Sequence, residues 1–226
     1  MKILGINTAT NNLSLALLED DAVLAEKNLA GPTAKAEQLI PWLKEMLTDL
    51  DLTAADLAGI GVAQGPGAFT GLRIGLTSAK TLAQMLSIPL VGISTIKAFA
   101  YQYKGQDIPL LRIVLQACRG DINTGLFSDL QQDFRQIEND HAVKAEDLWA
   151  QVRSEQSHLA GDVPPEFAGR TLPGVPNAVS IALLARQSIK EGNTAEPQTM
   201  VPVYSHGPNI RLSERIHGKL LKNNGN

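Results

Sequence analysis

Eleven residues, Gly65-Pro66-Gly67-Ala68-Phe69-Thr70-Gly71-Leu72-Arg73-Ile74-Gly75, constrain this chain more than any others. The apolar run Ala58–Gln64 before them reads as a buried strand, Ile60 to Ala63 at its centre. Leu72 to Leu86 after them reads as a helix. Strand, glycine loop and helix is the arrangement in which backbone N–H groups at a helix N-terminus hold an anion. It is also a tight turn that lets a helix pack closely. The spacing Gly65-x-Gly67-x-x-x-Gly71 matches neither the dinucleotide fingerprint nor the lysine-containing phosphate loop. Gly65, Gly67, Thr70 and Gly71 are the residues an anion would meet, so both readings stay open.

The flanking segments suggest a layered α/β fold. Lys2 to Thr8, Leu13 to Leu18 and Ala22 to Leu29 read as three strands joined by the turns Thr8–Asn12 and Glu19–Asp21, an antiparallel meander. A helix is expected from Thr33 to Leu50, with Thr33 as N-cap and Pro41 kinking it or moving its start. Pro89 to Ile93 reads as a strand, and Thr95 to Tyr103 as a helix capped by Ser94. Three strands, helix, strand, helix, strand is the order of a ribonuclease-H-like domain. After a composition change near 104–108 come a hairpin (Leu110–Ala117 with Asp121–Phe127), a polar strand within Gln131–Val143, a helix Ala145–Val152 and a strand His158–Gly161. A proline-rich loop and a helix over Asn177–Glu191 follow. The expected domains are therefore 1–104 and 105–226. The tail after Asn209 carries Arg211, Arg215, Lys219 and Lys222 against Glu214; it reads as a solvated charged stripe, with RNA contact as the rarer alternative.

Two helices carry more apolar surface than one sheet contact needs. On the first, Leu39, Trp42 and Met46 lie beside the face formed by Ala36, Ile40, Leu43, Leu47 and Leu50. On the second, Gly71, Gly75, Ala79 and Ala83 recur every four residues. Interior glycines cost a helix about 1 kcal/mol each, and close packing is the expected offset. These features read either as burial within the chain or as an interface with another chain.

The chemistry that is missing narrows the function. The charge of −3 over 226 residues gives no global basic signature for nucleic acid. One cysteine, Cys118, excludes an internal disulfide, and it reads as structural. No two of His141, His158, His206 and His217 have the spacing that puts metal ligands on one helix face. There is no G-x-S-x-G. An actin-type phosphotransferase wants a carboxylate after its first strand to position magnesium, and this chain has Asn7. No Gly-Gly pair offers an adenosine pocket. No leader pattern opens the sequence and no apolar run reaches about eighteen residues, so the expected location is the cytoplasm, with no membrane contact.

Three stretches carry a family resemblance: Ile3-Leu-Gly-Ile-Asn-Thr-Ala-Thr10, Gly65-Pro-Gly-Ala-Phe-Thr-Gly-Leu-Arg73, and Pro202-Val-Tyr204. Together they resemble the bacterial TsaB family, also called YeaZ. The resemblance covers Met1 to about Ala100 well and the rest loosely. It implies two ribonuclease-H-like lobes of the actin/sugar-kinase/Hsp70 type. It also implies a catalytically silent paralogue of TsaD, the subunit that transfers threonylcarbamoyl to adenosine 37 of tRNAs reading codons that begin with A. Such a protein has no catalytic residue, metal or cofactor of its own, ATP being handled by the partner complex. Its implied partners are TsaD, TsaE, a second copy of itself when alone, and tRNA indirectly. The chain departs from the family pattern at Lys35-Ala36-Glu37, at Asn7, at Gln116–Asp121, and after Tyr204, where an arginine is usual.

The resulting expectation is a partner face made of Leu39, Trp42, Leu43, Met46, Gly71, Arg73, Gly75, Ala79 and Ala83. A bulky residue at Gly75 is expected to weaken association with TsaD. The alternatives are an enzyme (a glycoprotease-type metallopeptidase or an actin-fold ATPase) and a self-associating scaffold with no tRNA role.

Overall fold

The computed structural model describes residues 1–31 and 36–205. Thr33, Lys35 and the basic tail lie outside the described residues, as do His206 and His217. Two five-stranded sheets lie in successive layers with helices on and between them. The first holds β1 (Lys2–Asn7), β2 (Asn12–Glu19), β3 (Ala22–Ala30), β4 (Gly59–Gly65) and β5 (Leu90–Ser94), in the order β3-β2-β1-β4-β5. The expected meander is present, with β1 antiparallel to β2 and β2 to β3. β4 and β5 continue the sheet in parallel.

One face of this sheet (Leu4, Ile6, Leu15, Leu17, Ile60 and Val62) packs on α1 (Leu39–Asp49) and α2 (Phe69–Leu86). Pro41 is the third residue of α1. An N–H in the first turn has no intrahelical acceptor, so proline costs nothing there and the helix begins late instead of kinking. α3 (Thr95–Tyr101) follows β5, and Ser94 caps it by accepting the Lys97 N–H at 2.9 Å.

The second sheet repeats the order with new strands. β6 (Leu110–Gln116) and β7 (Asp121–Ser128) form the expected hairpin, β8 (Arg135–Lys144) lies outside β7, and β9 (His158–Gly161) and β10 (Thr171–Leu172) lie parallel on the far side of β6. Read from its first strand, each sheet has the same arrangement, so the topology is duplicated although the sequence carries no repeat. α4 (Ala145–Ser154) covers one face through Leu148 and Val152.

The last helix, α5 (Ala178–Lys190), departs from the expected division at residue 104. It packs on the second face of the first sheet, where Ala178, Ile181, Ala182 and Ala185 meet Ile3, Ala16, Leu18, Val91 and Ile93. α3 does the reverse: its Ile96, Phe99 and Ala100 enter the core of the second sheet with Leu111, Ile113 and Phe127. Room for α5 comes from the strands. A Cβ on Gly5 would lie 2.1 Å from the Ala178 carbonyl oxygen, and one on Gly61 would lie 2.5 Å from the Ala185 methyl. Among the described residues, no helix is long and apolar enough to cross a membrane.

Candidate functional site

The glycine loop closes on its own chain. Ala68 N–H donates to the Ala9 carbonyl at 2.7 Å, and the Thr8 hydroxyl donates to the Gly71 carbonyl at 2.8 Å. These bonds draw the β1–β2 turn against the start of α2. A Cβ on Gly67 would meet the Ala9 oxygen at 2.2 Å, one on Gly71 the Thr8 oxygen at 2.0 Å, and one on Gly75 the Thr8 hydroxyl at 2.1 Å. Gly65 has φ +129°, a region that disfavours any side chain, and its Cβ would meet the Val203 oxygen at 2.1 Å. Gly65, Gly67 and Gly71 therefore serve backbone crossings, and the atoms that approach them are carbonyl oxygens, which repel an anion. Thr70 is exposed beside them.

Position 7 is also filled. Asn7 is fully buried, and its amide donates at 3.0 Å to both the Asn12 and Pro176 carbonyls while its oxygen accepts the Ala9 N–H at 3.1 Å. Asn12 donates to the same Pro176 oxygen at 2.8 Å. The residue that would be a magnesium-positioning carboxylate is thus a neutral clamp joining β1 to the segment that leads into α5. The Tyr103 hydroxyl donates to Pro173 O at 2.8 Å and steadies the same segment. Burial pushes the Tyr103 phenol up to about 12. Among the described residues, no three His, Cys, Asp or Glu side chains gather as a ligand set for a metal. The neutral, internally bonded side chain at position 7 therefore does not fit the magnesium-positioning carboxylate that the actin-type fold implies. A hollow of about 470 Å³ beside α5 mixes Lys104, Arg186 and Lys190 with Asp21 and Glu191, and Arg186 is already paired with Asp21.

The expected partner face requires correction. Leu39, Leu43, Met46, Ala79 and Ala83 are buried in the core of the first sheet, and Gly71 and Gly75 are occupied by Thr8. The small-residue stripe admits this chain's own Thr8 and first-sheet core. Trp42 is half-buried and Arg73 exposed. The surface of α2 is instead the row Phe69, Arg73, Thr77, Thr81 and Met85, with Phe69 50% and Met85 78% exposed. Ile40 of α1 is 50% exposed. The signal for this row was present in the sequence: it recurs every four residues, offset from the stripe, and begins and ends on a large apolar residue. Phe69 belongs to a cluster. Its ring stacks on Tyr204 (centroids 5.1 Å apart), the Arg73 guanidinium lies 3.9 Å from the Phe69 centroid, and Arg73 Nε donates to the Tyr204 hydroxyl at 3.2 Å.

Fold and site together define an α/β protein of the actin/sugar-kinase type whose glycine loop is closed on its own backbone. A family model described as TsaD, tRNA N6-adenosine threonylcarbamoyltransferase, matches residues 32–187. The tRNA threonylcarbamoyladenosine biosynthesis protein TsaB of Bacillus subtilis is 35% identical over 169 residues, 75% of this chain and 71% of that one. With these matches the chain belongs to the TsaB (YeaZ) family. TsaB of Escherichia coli is 36% identical over 100 residues, 44% of this chain and 43% of that one. Among solved structures, YeaZ from Pseudomonas aeruginosa superposes with a TM-score of 0.75 at 23% identity, over 90% of this chain and all of that one. An activator of 2-hydroxyisocaproyl-CoA dehydratase from Clostridium difficile, solved with bound ADPNP, shares the fold at 10% identity and a TM-score of 0.51, over 85% of this chain and 97% of that one.

Proposed function

We propose that this chain is a non-catalytic subunit in the formation of threonylcarbamoyladenosine at position 37 of tRNAs that read codons beginning with A. It binds and stabilises TsaD through the outer faces of α1 and α2, and it uses no metal or nucleotide of its own. The observation that carries the reading is the 35% identity to a TsaB over 71% of that protein's length. Two local features support it. Asn7 uses its amide and its oxygen on the protein's own backbone and offers no negative charge to magnesium. The outer row of α2 carries Phe69 and Met85, large apolar side chains that cost free energy while they face water. TsaE and ATP join through the partner complex, in the cytoplasm.

The test is a pull-down with purified TsaD from the same cell, together with mass spectrometry of tRNA nucleosides after depletion of this protein. Recovery of TsaD and loss of threonylcarbamoyladenosine are expected. Normal modified-nucleoside content after depletion would overturn the role. Met85→Glu places a charge in the outer row and is expected to weaken TsaD binding by about ten-fold or more, read by calorimetry. Unchanged affinity would remove the α2 face from the interface.

A further inference from the structure

Arg73 is fixed before any partner arrives. Its guanidinium lies against the Phe69 ring, its Nε is committed to the Tyr204 hydroxyl, and the two rings stack on each other. An exposed arginine normally gives up side-chain freedom on binding; one already held between a ring and a phenol has little left to lose. Among the described residues, no carboxylate pairs with Arg73. α2 carries two cations, Arg73 and Lys80, and no acidic residue. Lys80 donates to the backbone oxygens of Met200 at 3.0 Å and Gln198 at 3.4 Å, not to an acid.

The surroundings are apolar. Phe69 is half-exposed, and Val201 and Val203, two residues apart on the extended segment that carries Tyr204, are 62% and 52% exposed. That segment is itself anchored to β4, since Val203 N–H donates to Gln64 O and Gln64 Nε2 donates to Val201 O, both at 2.8 Å. Because the Tyr204 oxygen accepts from Arg73, its own proton is free to be donated. Terminal guanidinium N–H groups and a phenol O–H beside an apolar margin match a carboxylate presented on an otherwise apolar protein surface.

We propose that the Arg73–Phe69–Tyr204 cluster is the anchor of the α2 partner face and takes a carboxylate of TsaD. This rests on the reading of α2 as the TsaD-facing helix. The α2 helix of a second copy fits less well, since α2 against α2 brings cations together.

The test uses the full chain and purified TsaD, with affinity measured by calorimetry over a salt series and folding checked by thermal melts. Arg73→Ala is expected to weaken binding by about ten-fold or more and to flatten the salt dependence. Arg73→Lys should recover only part of the loss, because lysine keeps the charge but not the planar fork. Tyr204→Phe should weaken binding by a smaller factor with the melt unchanged. If Arg73→Ala binds like the parent while Met85→Glu does not, the anchor is wrong and the TsaD face stands. If the parent chain does not bind TsaD, both fall. If Arg73→Ala instead abolishes a dimer seen by sedimentation, or weakens binding to transcribed tRNA and not to TsaD, the carboxylate reading is overturned.

Discussion

Asn7 and aspartate differ by one polar group, yet at this position the difference turns a bond between β1 and the segment leading into α5 into a repulsion. An Asn7→Asp carboxylate would face the Asn12 and Pro176 carbonyl oxygens that now accept from the amide. The substitution should cost roughly 3 kcal/mol, read from urea denaturation. A stable Asn7→Asp variant that binds magnesium-ATP would show the clamp to be dispensable. Gly75→Val should also act through the fold, since its side chain meets Thr8. A loss of about 2 kcal/mol or more is expected, and normal stability with impaired TsaD binding would reinstate the stripe as an interface. Arg112 is a fully buried cation inside the apolar strand β6. It makes a two-pronged pair with Glu155, Nε to Oε1 at 3.1 Å and Nη2 to Oε2 at 2.7 Å, and it reaches Glu138 at 2.8 Å. Burial alone would raise the Glu155 carboxyl; the bonds and charge of Arg112, with help from Ser157 and Arg170, outweigh it and hold it below its ordinary 4.5. A carboxyl lowered in the folded state contributes stability that is full above that ordinary value and is lost as pH falls through the lowered one. Glu155→Gln should therefore flatten the fall in melting temperature on acidification below pH ~4.5. An unaltered acid limb would mean that other carboxylates dominate it.

At the scale of elements, the strands of the first sheet and all five helices were legible because their apolar spacing is unambiguous and their punctuation strong. Ser94 acts as the expected cap of α3, and Asn177 at the start of the last expected helix caps α5 by accepting the Ser180 N–H. Asn177→Ala should cost about 1 kcal/mol, read from the same denaturation curves. What was not legible is which side of an element meets which neighbour. Gly71, Gly75, Ala79 and Ala83 announce a close approach, but nothing in their spacing says that Thr8 and the first sheet are what approaches. Gly5 and Gly61 announce another, and its occupant, α5, lies more than a hundred residues away from both. The Phe69–Tyr204 stack was hidden for the same reason. Arg112 was legible in principle, since an arginine inside an apolar strand requires buried carboxylates, but not which ones.

For the whole molecule, the divide expected at residue 104 separates the two sheets but not the helices that cover them. The first half lends α3 to the second sheet, and the second half lends α5 to the first. Fragments 1–104 and 105–226 should each fail to give a cooperative melt alone and should regain one when mixed. A dispersed NMR spectrum from 1–104 by itself would refute this. Helix exchange also sets a timetable during synthesis. The strands of the first sheet are complete at Ser94, but the helix that covers their second face begins at Ala178. At ordinary elongation rates this is a wait of about 4–17 s. Throughout that interval Ile3, Ala16, Leu18, Val91 and Ile93 have no cover from α5, so the nascent chain is a natural client for whatever binds exposed apolar surface at the ribosome.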